Sequence, residues 1–176
     1  MITMDITNMV PAFSAKDIDG AYAWEPWISK MEAVGGKVVT RTADLGLNTS
    51  DHWVVREKWA KANPEGMRRL VRVIDLAYQA FSRDRSVAMR ATAENLGVSE
   101  AVSKHIVEIN PTLSLQQMVE PKFELSLLPG PGNPGAPGMI QKVGDFLLAE
   151  GIIKSKIDGR AAVDASYVAE YLKARR

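Results

Sequence analysis

The stretch DGAYAWEPW, residues 19–27, decides how the first third of this chain is interpreted. The small and aromatic residues of segment 20–24 are typical of a β-strand, and Pro26 suits the first turn of a following helix. An indole and a carboxylate, Trp24 and Glu25, therefore stand side by side at the carboxyl end of a predicted strand. Ligands of open α/β sheets bind in the crevice outside the carboxyl ends of the strands. This pair is the first candidate for a ligand site.

Outward from this stretch, the pattern predicts strands first and helices afterwards. Segments 37–41 and 51–56 are rich in β-branched and aromatic residues and are predicted strands. Apolar residues recur at three- and four-residue spacing over 64–82, which predicts a long amphipathic helix. The Pro- and Gly-rich segment 127–138 is predicted to be a loop without regular structure. Shorter helices are predicted at 8–16, 26–33, 85–96, 99–109, 114–120, 139–150 and 164–175. The order of elements predicts an α/β fold.

The composition is that of an ordinary globular protein, and it excludes several classes of function. The 176 residues carry a net charge of +1, which supplies no broad field for nucleic acid or an anionic membrane. The chain has no Cys, so disulfides and thiolate chemistry are excluded. The two histidines, His52 and His105, are isolated in the sequence, and we predict neither a metal site nor a cofactor.

The amino-terminal segment MITMDITNMVPAF does not have the features of a secretion signal. It lacks a basic start, a continuous apolar run and a small-residue cleavage site, so no signal peptide is predicted. No apolar run approaches the roughly 18 residues that a membrane-spanning helix needs. The sequence therefore predicts either a cytoplasmic protein or an internal piece of a longer exported one.

Two pairs of residues combine an indole with a nearby carboxylate at a predicted strand boundary. The first pair is Trp24 with Glu25, and the second is Trp53 with Asp51. The face of an indole attracts an ammonium group through cation–π interaction, and a carboxylate binds it through charge-assisted hydrogen bonds. These residues therefore indicate a site for an amine ligand. The alternative interpretation is that bulky indoles simply fill the space between a sheet and its helices.

The segment AENLGVSEAVSKHIVEIN, residues 93–110, offers a different function. It resembles the helix-turn-helix of bacterial regulators, in which a second helix enters the major groove of DNA. Lys104 and His105 would then contact bases or phosphates. The same helix also carries Glu100 and Glu108, and no basic cluster surrounds it. A DNA-binding regulator therefore stays an alternative, and nucleic acid is not a predicted partner.

Three collinear segments resemble a known family and together span nearly the whole chain. DIDGAYAWEPWISKM (17–31) looks like the second-lobe strand and helix of the substrate-binding proteins of taurine and alkanesulfonate ABC transporters. TSDHWVVREKWAKANPE (49–65) resembles their return crossing to the first lobe. VGDFLLAEGIIKSKID (143–158), followed by VDASYVAEYL (163–172), is similar to their closing helices.

The resemblance implies a two-lobed type II periplasmic-binding-protein fold, in which the lobes close on a ligand by a hinge motion. Family members are close to twice as long as this chain, so the resemblance implies a partial fold, starting inside lobe two. Residues 1–45 would be the end of lobe two. Residues 46–176 would be the return crossing and the C-terminal, mainly helical part of lobe one. The helix pair within 93–110 would be packed in lobe one.

The function that the resemblance implies is non-enzymatic solute binding for an ABC importer in the periplasm. The solute would be a small sulfonate or zwitterion such as taurine, and the partner would be a membrane permease. An enzyme on the same fold, of the kind that makes the pyrimidine precursor of thiamin, is the alternative. That enzyme would need a reactive His or Cys constellation, which this sequence does not offer.

Four residues match family positions that face the ligand cleft. Glu25 and Asp51 would form salt bridges with the ligand amine, and no cofactor is implied. Trp24 and Trp53 would pack against the methylene or ammonium groups of the ligand. Glu25 departs from the family, where Asp is commoner, and its longer side chain alters the reach of the carboxylate.

One further expectation concerns assembly. The apolar faces of helices 64–82 and 139–150 would pack on a sheet that the resemblance places largely outside this chain. Exposed apolar patches drive association. We therefore expect the chain to form a homo-oligomer.

Overall fold

The computed structural model describes residues 2–45 and 51–175. Within these ranges the backbone forms helices and no β-strand. None of the described helices is long and apolar enough to cross a membrane. In chain order the α-helices are α1 (Ile6–Ala15), α2 (Trp27–Ala33), α3 (Glu57–Ala62), α4 (Pro64–Arg83), α5 (Arg85–Leu96), α6 (Glu100–Ile109), α7 (Leu115–Met118), α8 (Gly135–Ala149) and α9 (Ser166–Ala174), with a 3-10 helix at Ala43–Leu45.

The three predicted strands, 20–24, 37–41 and 51–56, are not formed, and this prediction was wrong. A strand needs a neighbouring backbone to pair its N–H and C=O groups, and no described segment pairs with these three. Their apolar side chains are therefore open to solvent, with Val39 95% and Val54 91% exposed. The described residues are mostly helical and lack the sheet of the predicted α/β fold. The partial type II architecture stays a prediction.

The long amphipathic helix predicted at 64–82 is confirmed as α4. Met67 and Val71 of this helix are buried. Residues four positions apart lie on one face of a helix, so the apolar spacing correctly indicated the buried face. Other predicted helices are confirmed with ends within two residues, at 26–33, 85–96, 99–109, 114–120 and 164–175.

Two helices begin earlier than predicted. Helix α1 begins at Ile6 rather than at residue 8, since Asp5 is its N-cap. The Asp5 carboxylate accepts a hydrogen bond from the Thr7 N–H at 2.9 Å. Helix α8 begins at Gly135, inside the segment that was predicted to be a loop.

The Asn133 amide side chain makes several of the hydrogen bonds that hold the Pro- and Gly-rich segment at the start of α8. The Asn133 Nδ2 group donates to the carbonyl oxygens of Pro121 and Phe123, both at 2.7 Å. Asn133 Oδ1 accepts from the N–H of Gly135 at 3.0 Å. These bonds satisfy backbone groups that neither a helix nor a sheet pairs here, and they allow α8 to begin within the segment.

The chain forms two compact units. Unit 1 consists of Met1–Thr49 and Asp84–Pro111, and unit 2 consists of Ser50–Arg83 and Thr112–Arg176. Helices α1, α2, α5 and α6 and the 3-10 helix lie in unit 1, and the remaining described helices lie in unit 2. The assignment of the chain to two family lobes stays a prediction.

In unit 1, helices α5 and α6 are antiparallel neighbours. The buried Ser103 of α6 donates its hydroxyl hydrogen to the Met89 carbonyl of α5. The Arg85 guanidinium, at the start of α5, donates to the Val107 carbonyl at 3.1 Å. The earlier residue of α5 bonds to the later residue of α6, so the two helices are antiparallel. The Ser103 bond fixes the position of the middle of α6 along α5.

In unit 2, Val71, Leu115 and Val168 form a buried cluster that joins α4, α7 and α9. Beside this cluster, the Asp75 side chain of α4 is almost fully buried. Its Oδ2 atom accepts from the Tyr171 hydroxyl of α9 at 3.1 Å. Apolar contact and a polar bond therefore hold α4 and α9 together.

Apolar side chains remain open to solvent on two helices of unit 2. Val73 and Leu76 on α4, and Val143 and Phe146 on α8, are each more than half exposed. Patches of exposed apolar surface favour association. The predicted homo-oligomer stays a prediction, and this exposure is the observation in its favour.

The Tyr171 hydroxyl is expected to make the stability of unit 2 fall at alkaline pH. Burial, followed by the hydrogen bond to Asp75, raises the pKa of Tyr171 above its ordinary value. Folding therefore favours the neutral phenol. The stability that the Tyr171 hydroxyl contributes is complete below about pH 10, and it is lost as the pH rises through the raised pKa. In urea unfolding at rising pH, the alkaline loss of stability should be smaller in Tyr171→Phe than in the wild type. An equal loss in both proteins would contradict this prediction.

Candidate functional site

The candidate site in unit 1 is built around Glu25, just before α2. The Glu25 side chain is only 7% exposed. Its Oε2 atom accepts two hydrogen bonds from Ser29, from the backbone N–H at 3.1 Å and from the hydroxyl at 2.7 Å. Because Ser29 lies in α2, the start of this helix holds one carboxylate oxygen in place.

The other carboxylate oxygen, Glu25 Oε1, is buried and has no hydrogen-bond partner among the described residues. The imidazole Nε2 of His105, on α6, lies 3.5 Å away. Good N–H···O bonds measure about 2.7–3.2 Å, so the ring contacts Oε1 without satisfying it. Burial of an unsatisfied acceptor costs about 1–3 kcal/mol. The site therefore contains an acceptor that would gain from a donor.

Trp24 differs from Glu25 in burial although the two residues are adjacent. The Trp24 side chain is exposed, whereas the Glu25 carboxylate lies inside unit 1. The predicted pairing of an indole with a carboxylate therefore becomes an exposed aromatic surface next to a buried acceptor. Both properties suit an amine ligand, the indole face through cation–π attraction and the carboxylate through charge.

The second predicted pair lies in unit 2. Asp51 and Trp53 precede α3, in a segment without regular secondary structure, and both are exposed. Trp24 and Glu25 thus lie in unit 1, whereas Asp51 and Trp53 lie in unit 2. The ligand-binding role of all four residues stays a prediction.

Sequence reasoning missed His105 as a neighbour of Glu25. The two residues are far apart in the chain, and His105 was considered only as an isolated histidine or as a contact to DNA. No local pattern places it beside Glu25, because the proximity depends on how α6 packs within unit 1.

The helix pair that resembles a DNA-binding motif is engaged within unit 1. His105 contacts Glu25, and the Lys104 ammonium lies 3.9 Å from the Glu108 carboxylate on the same helix. The two side chains proposed to touch DNA therefore face acidic groups of the protein itself. These contacts do not favour the regulator, which stays an untested alternative.

Other parts of the described chain offer weaker sites. Among the described residues, no group of three or more His, Cys, Asp or Glu side chains could hold a metal ion. A shallow cleft of about 200 Å³ in unit 2 borders Asp75 and Arg175. Asp75 Oδ2 already accepts from Arg175 at 2.5 Å and from Tyr171. That carboxylate therefore serves to join α4 to α9.

Comparison with known proteins shows a family and several relatives. The sequence model of the NMT1-like family matches residues 1–97. The taurine-binding periplasmic protein of Escherichia coli (strain K12) is 31% identical over 129 residues, 65% of this chain and 40% of that protein. A Brucella abortus (strain 2308) protein with the general name of a binding protein is 25% identical, over 99% of this chain and 52% of its own length.

A third relative is an enzyme. The 2'-hydroxybiphenyl-2-sulfinate desulfinase of Rhodococcus erythropolis is 27% identical over 148 residues, 80% of this chain and 35% of that protein. No solved structure matches. The chain spans about half, or less, of the length of these relatives. The matches to binding proteins confirm the resemblance that the three sequence segments indicated.

Proposed function

The chain belongs to the NMT1-like family, and we propose that it forms part of the solute-binding protein of an ABC importer. In this proposal the solute is a small sulfonate or zwitterion such as taurine, held in a cleft between two lobes. In the periplasm, the lobes close on the solute, and the closed, loaded protein then docks on a permease in the membrane. Relatives that are binding proteins support this function. The activity of the whole protein belongs to the proposal, since the chain spans only part of their length.

The unsatisfied Oε1 atom of Glu25 is the observation that carries the proposal. An ammonium group has three N–H donors, and one of them directed at Oε1 supplies the missing bond. Hydrogen bonds to charged groups are roughly twice as strong as neutral ones, so an amine gains more here than a hydroxyl. The exposed indole of Trp24 offers the same ligand a cation–π surface.

The remaining predicted residues are proposed on the family resemblance. Asp51 would bind the amine, and Trp53 would pack against the methylene groups of the solute. Both side chains are exposed in unit 2. Exposed carboxylates and indoles are accessible to a solute, so their placement is compatible with the proposed role.

Titration of the chain with taurine is expected to give saturable binding that depends on Glu25. Calorimetry measures the affinity, and Trp fluorescence reports on the indoles. Glu25→Ala removes the buried acceptor, so its affinity should fall at least about tenfold, which corresponds to about 1.4 kcal/mol. Glu32→Ala is the matched control, because Glu32 is an exposed glutamate of α2 and should leave the affinity unchanged.

Two results would contradict this function. The first is an absence of saturable binding to taurine and to related amino-sulfonates at millimolar concentration. The second is equal affinity of the wild type and Glu25→Ala, once circular dichroism has shown that the variant is folded. The second result would leave solute binding intact but would overturn the proposed role of Glu25 in it.

An enzyme that acts on an organosulfur substrate is the second candidate. The desulfinase relative favours it, since that protein matches 80% of this chain. The chain has no Cys and therefore no thiolate nucleophile. His105, whose Nε2 atom lies 3.5 Å from Glu25 Oε1, is a histidine next to a carboxylate that this candidate would use. Incubation of the chain with an aryl sulfinate distinguishes the two functions. Turnover that exceeds the uncatalysed rate would favour the enzyme, whereas binding without turnover favours the transporter component.

A further inference from the structure

His105 is the partly exposed neighbour of the unsatisfied oxygen of Glu25. Its Nε2 atom lies 3.5 Å from Glu25 Oε1, whereas Ser29 occupies Oε2. Oε1 is closed to solvent, but the His105 side chain is 40% exposed. A group that arrives on this side of the carboxylate therefore meets the imidazole before it meets the oxygen.

The distance between the two side chains decides between two roles for the ring. A structural His–Glu pair would bring the nitrogen and the oxygen to about 2.7–3.2 Å. At 3.5 Å the ring lies next to the buried Oε1 atom but leaves it without a hydrogen bond. A stronger donor that displaces the ring would thus be favoured, because it removes the cost of the unsatisfied acceptor.

The backbone that carries His105 is anchored. Ser103, two residues earlier on α6, is fully buried and bonded to the Met89 carbonyl of α5. Arg85 of α5 bonds to the Val107 carbonyl, two residues later. Helix α6 is therefore held on both sides of position 105, so the ring can rotate but the helix cannot easily withdraw. The size of the side chain at position 105 consequently sets the space next to Oε1.

We propose that His105 is a specificity-determining residue of the Glu25 site, whose ring limits the ligand at Oε1 to a primary ammonium group. This inference rests on the proposed function and deepens it by naming the class of amine. A primary ammonium presents three N–H donors, whereas a dimethylated ammonium presents one and adds two methyl groups. Protein sites are close-packed, so added methyl groups next to a covered oxygen are excluded.

Binding of two ligands that differ only in these methyl groups tests the inference. The full chain is titrated calorimetrically with taurine and with N,N-dimethyltaurine. The wild type should prefer taurine by at least about tenfold. His105→Ala opens the space beside Oε1 and should lower this preference to below about threefold. Glu108→Ala, which changes an exposed residue of the same helix, should keep the preference of the wild type.

The outcomes separate this inference from the proposed function. A folded His105→Ala chain that keeps the tenfold preference overturns the inference and leaves solute binding intact, as does a wild type with no preference. An absence of taurine binding by the wild type overturns the proposed function and this inference with it. If the alanine variant does not fold, His105→Ser replaces it, because its small side chain also uncovers Oε1.

Discussion

Gly159→Ala is expected to lower the free energy of unfolding by about 3 kcal/mol, at the upper end of the range for overpacked sites. Gly159 is buried against the first turns of α8. A Cβ atom built there would overlap the Pro137 carbonyl oxygen and lie 2.8 Å from the Gln141 backbone nitrogen. Both neighbours are backbone atoms of a helix, which cannot move aside as a side chain can.

The same substitution would also disturb a hydrogen bond. The Gly159 N–H donates to the Gln141 side-chain oxygen at 3.0 Å, and any shift that relieves the overlap lengthens this bond. Urea unfolding followed by circular dichroism measures the loss. Gly20→Ala is the matched control, because a Cβ atom at Gly20 meets nothing within 4 Å. That control should change stability by less than about 1 kcal/mol. Equal stability of Gly159→Ala and the wild type would contradict the described packing of the segment on α8.

Asp75→Ala is expected to lower the free energy of unfolding by about 2–4 kcal/mol. Three donors converge on Asp75 Oδ2, namely the Gln79 amide at 2.9 Å, the Tyr171 hydroxyl at 3.1 Å and the Arg175 guanidinium at 2.5 Å. Removal of the carboxylate leaves the Tyr171 hydroxyl without this acceptor beside the core. The Arg175 side chain is half exposed, so water takes over part of its lost bonding and the loss stays below that of a fully buried pair.

Two further variants sharpen this test. Asp75→Asn keeps the shape and one acceptor oxygen, so it should lose less stability than Asp75→Ala. Glu57→Ala removes a carboxylate whose ion pair with Lys61 is largely exposed, and it should cost much less stability than Asp75→Ala. If Asp75→Ala were as stable as Glu57→Ala, the link between α4 and α9 would not contribute to stability.

Most of the helices were predictable from the sequence because their determinants are local, whereas α3 was not predicted. The apolar spacing of α4 indicated that Met67 and Val71 face the core, and both are buried. The side chains of Ser99 and Ser114 cap α6 and α7, and each serine is the first residue of the range predicted for that helix. The starts of α1 and α8 were mispredicted because side-chain bonds of Asp5 and Asn133 allow these helices to begin before the predicted residue.

The strands were mispredicted for the opposite reason. Segments 20–24, 37–41 and 51–56 have the composition of strands, but a strand exists only when a second backbone pairs with it. The described residues provide no such backbone. Local propensity alone could not reveal this, since it carries no information about the partner.

Half of the candidate site could be identified from the sequence. Trp24 and Glu25 were recognised because an indole and an acid are adjacent there, and the family resemblance supported the same residues. The burial of Glu25 and its contact with His105 were not predictable, because they depend on the packing of α6 within unit 1. The positions of Asp51 and Trp53 in the sequence likewise did not reveal that they belong to unit 2.

By itself, the sequence determined most of the helices, the buried face of α4 and the family, because caps, periodicity and motifs act over a few neighbouring residues. Only the tertiary structure decided the partners of the buried carboxylates. Asp75 is bonded to residues 96 and 100 positions further along the chain, and Glu25 lies beside a histidine of a distant helix. A buried charge is stabilised or left unsatisfied by whichever groups the fold places around it, and no local pattern encodes that arrangement.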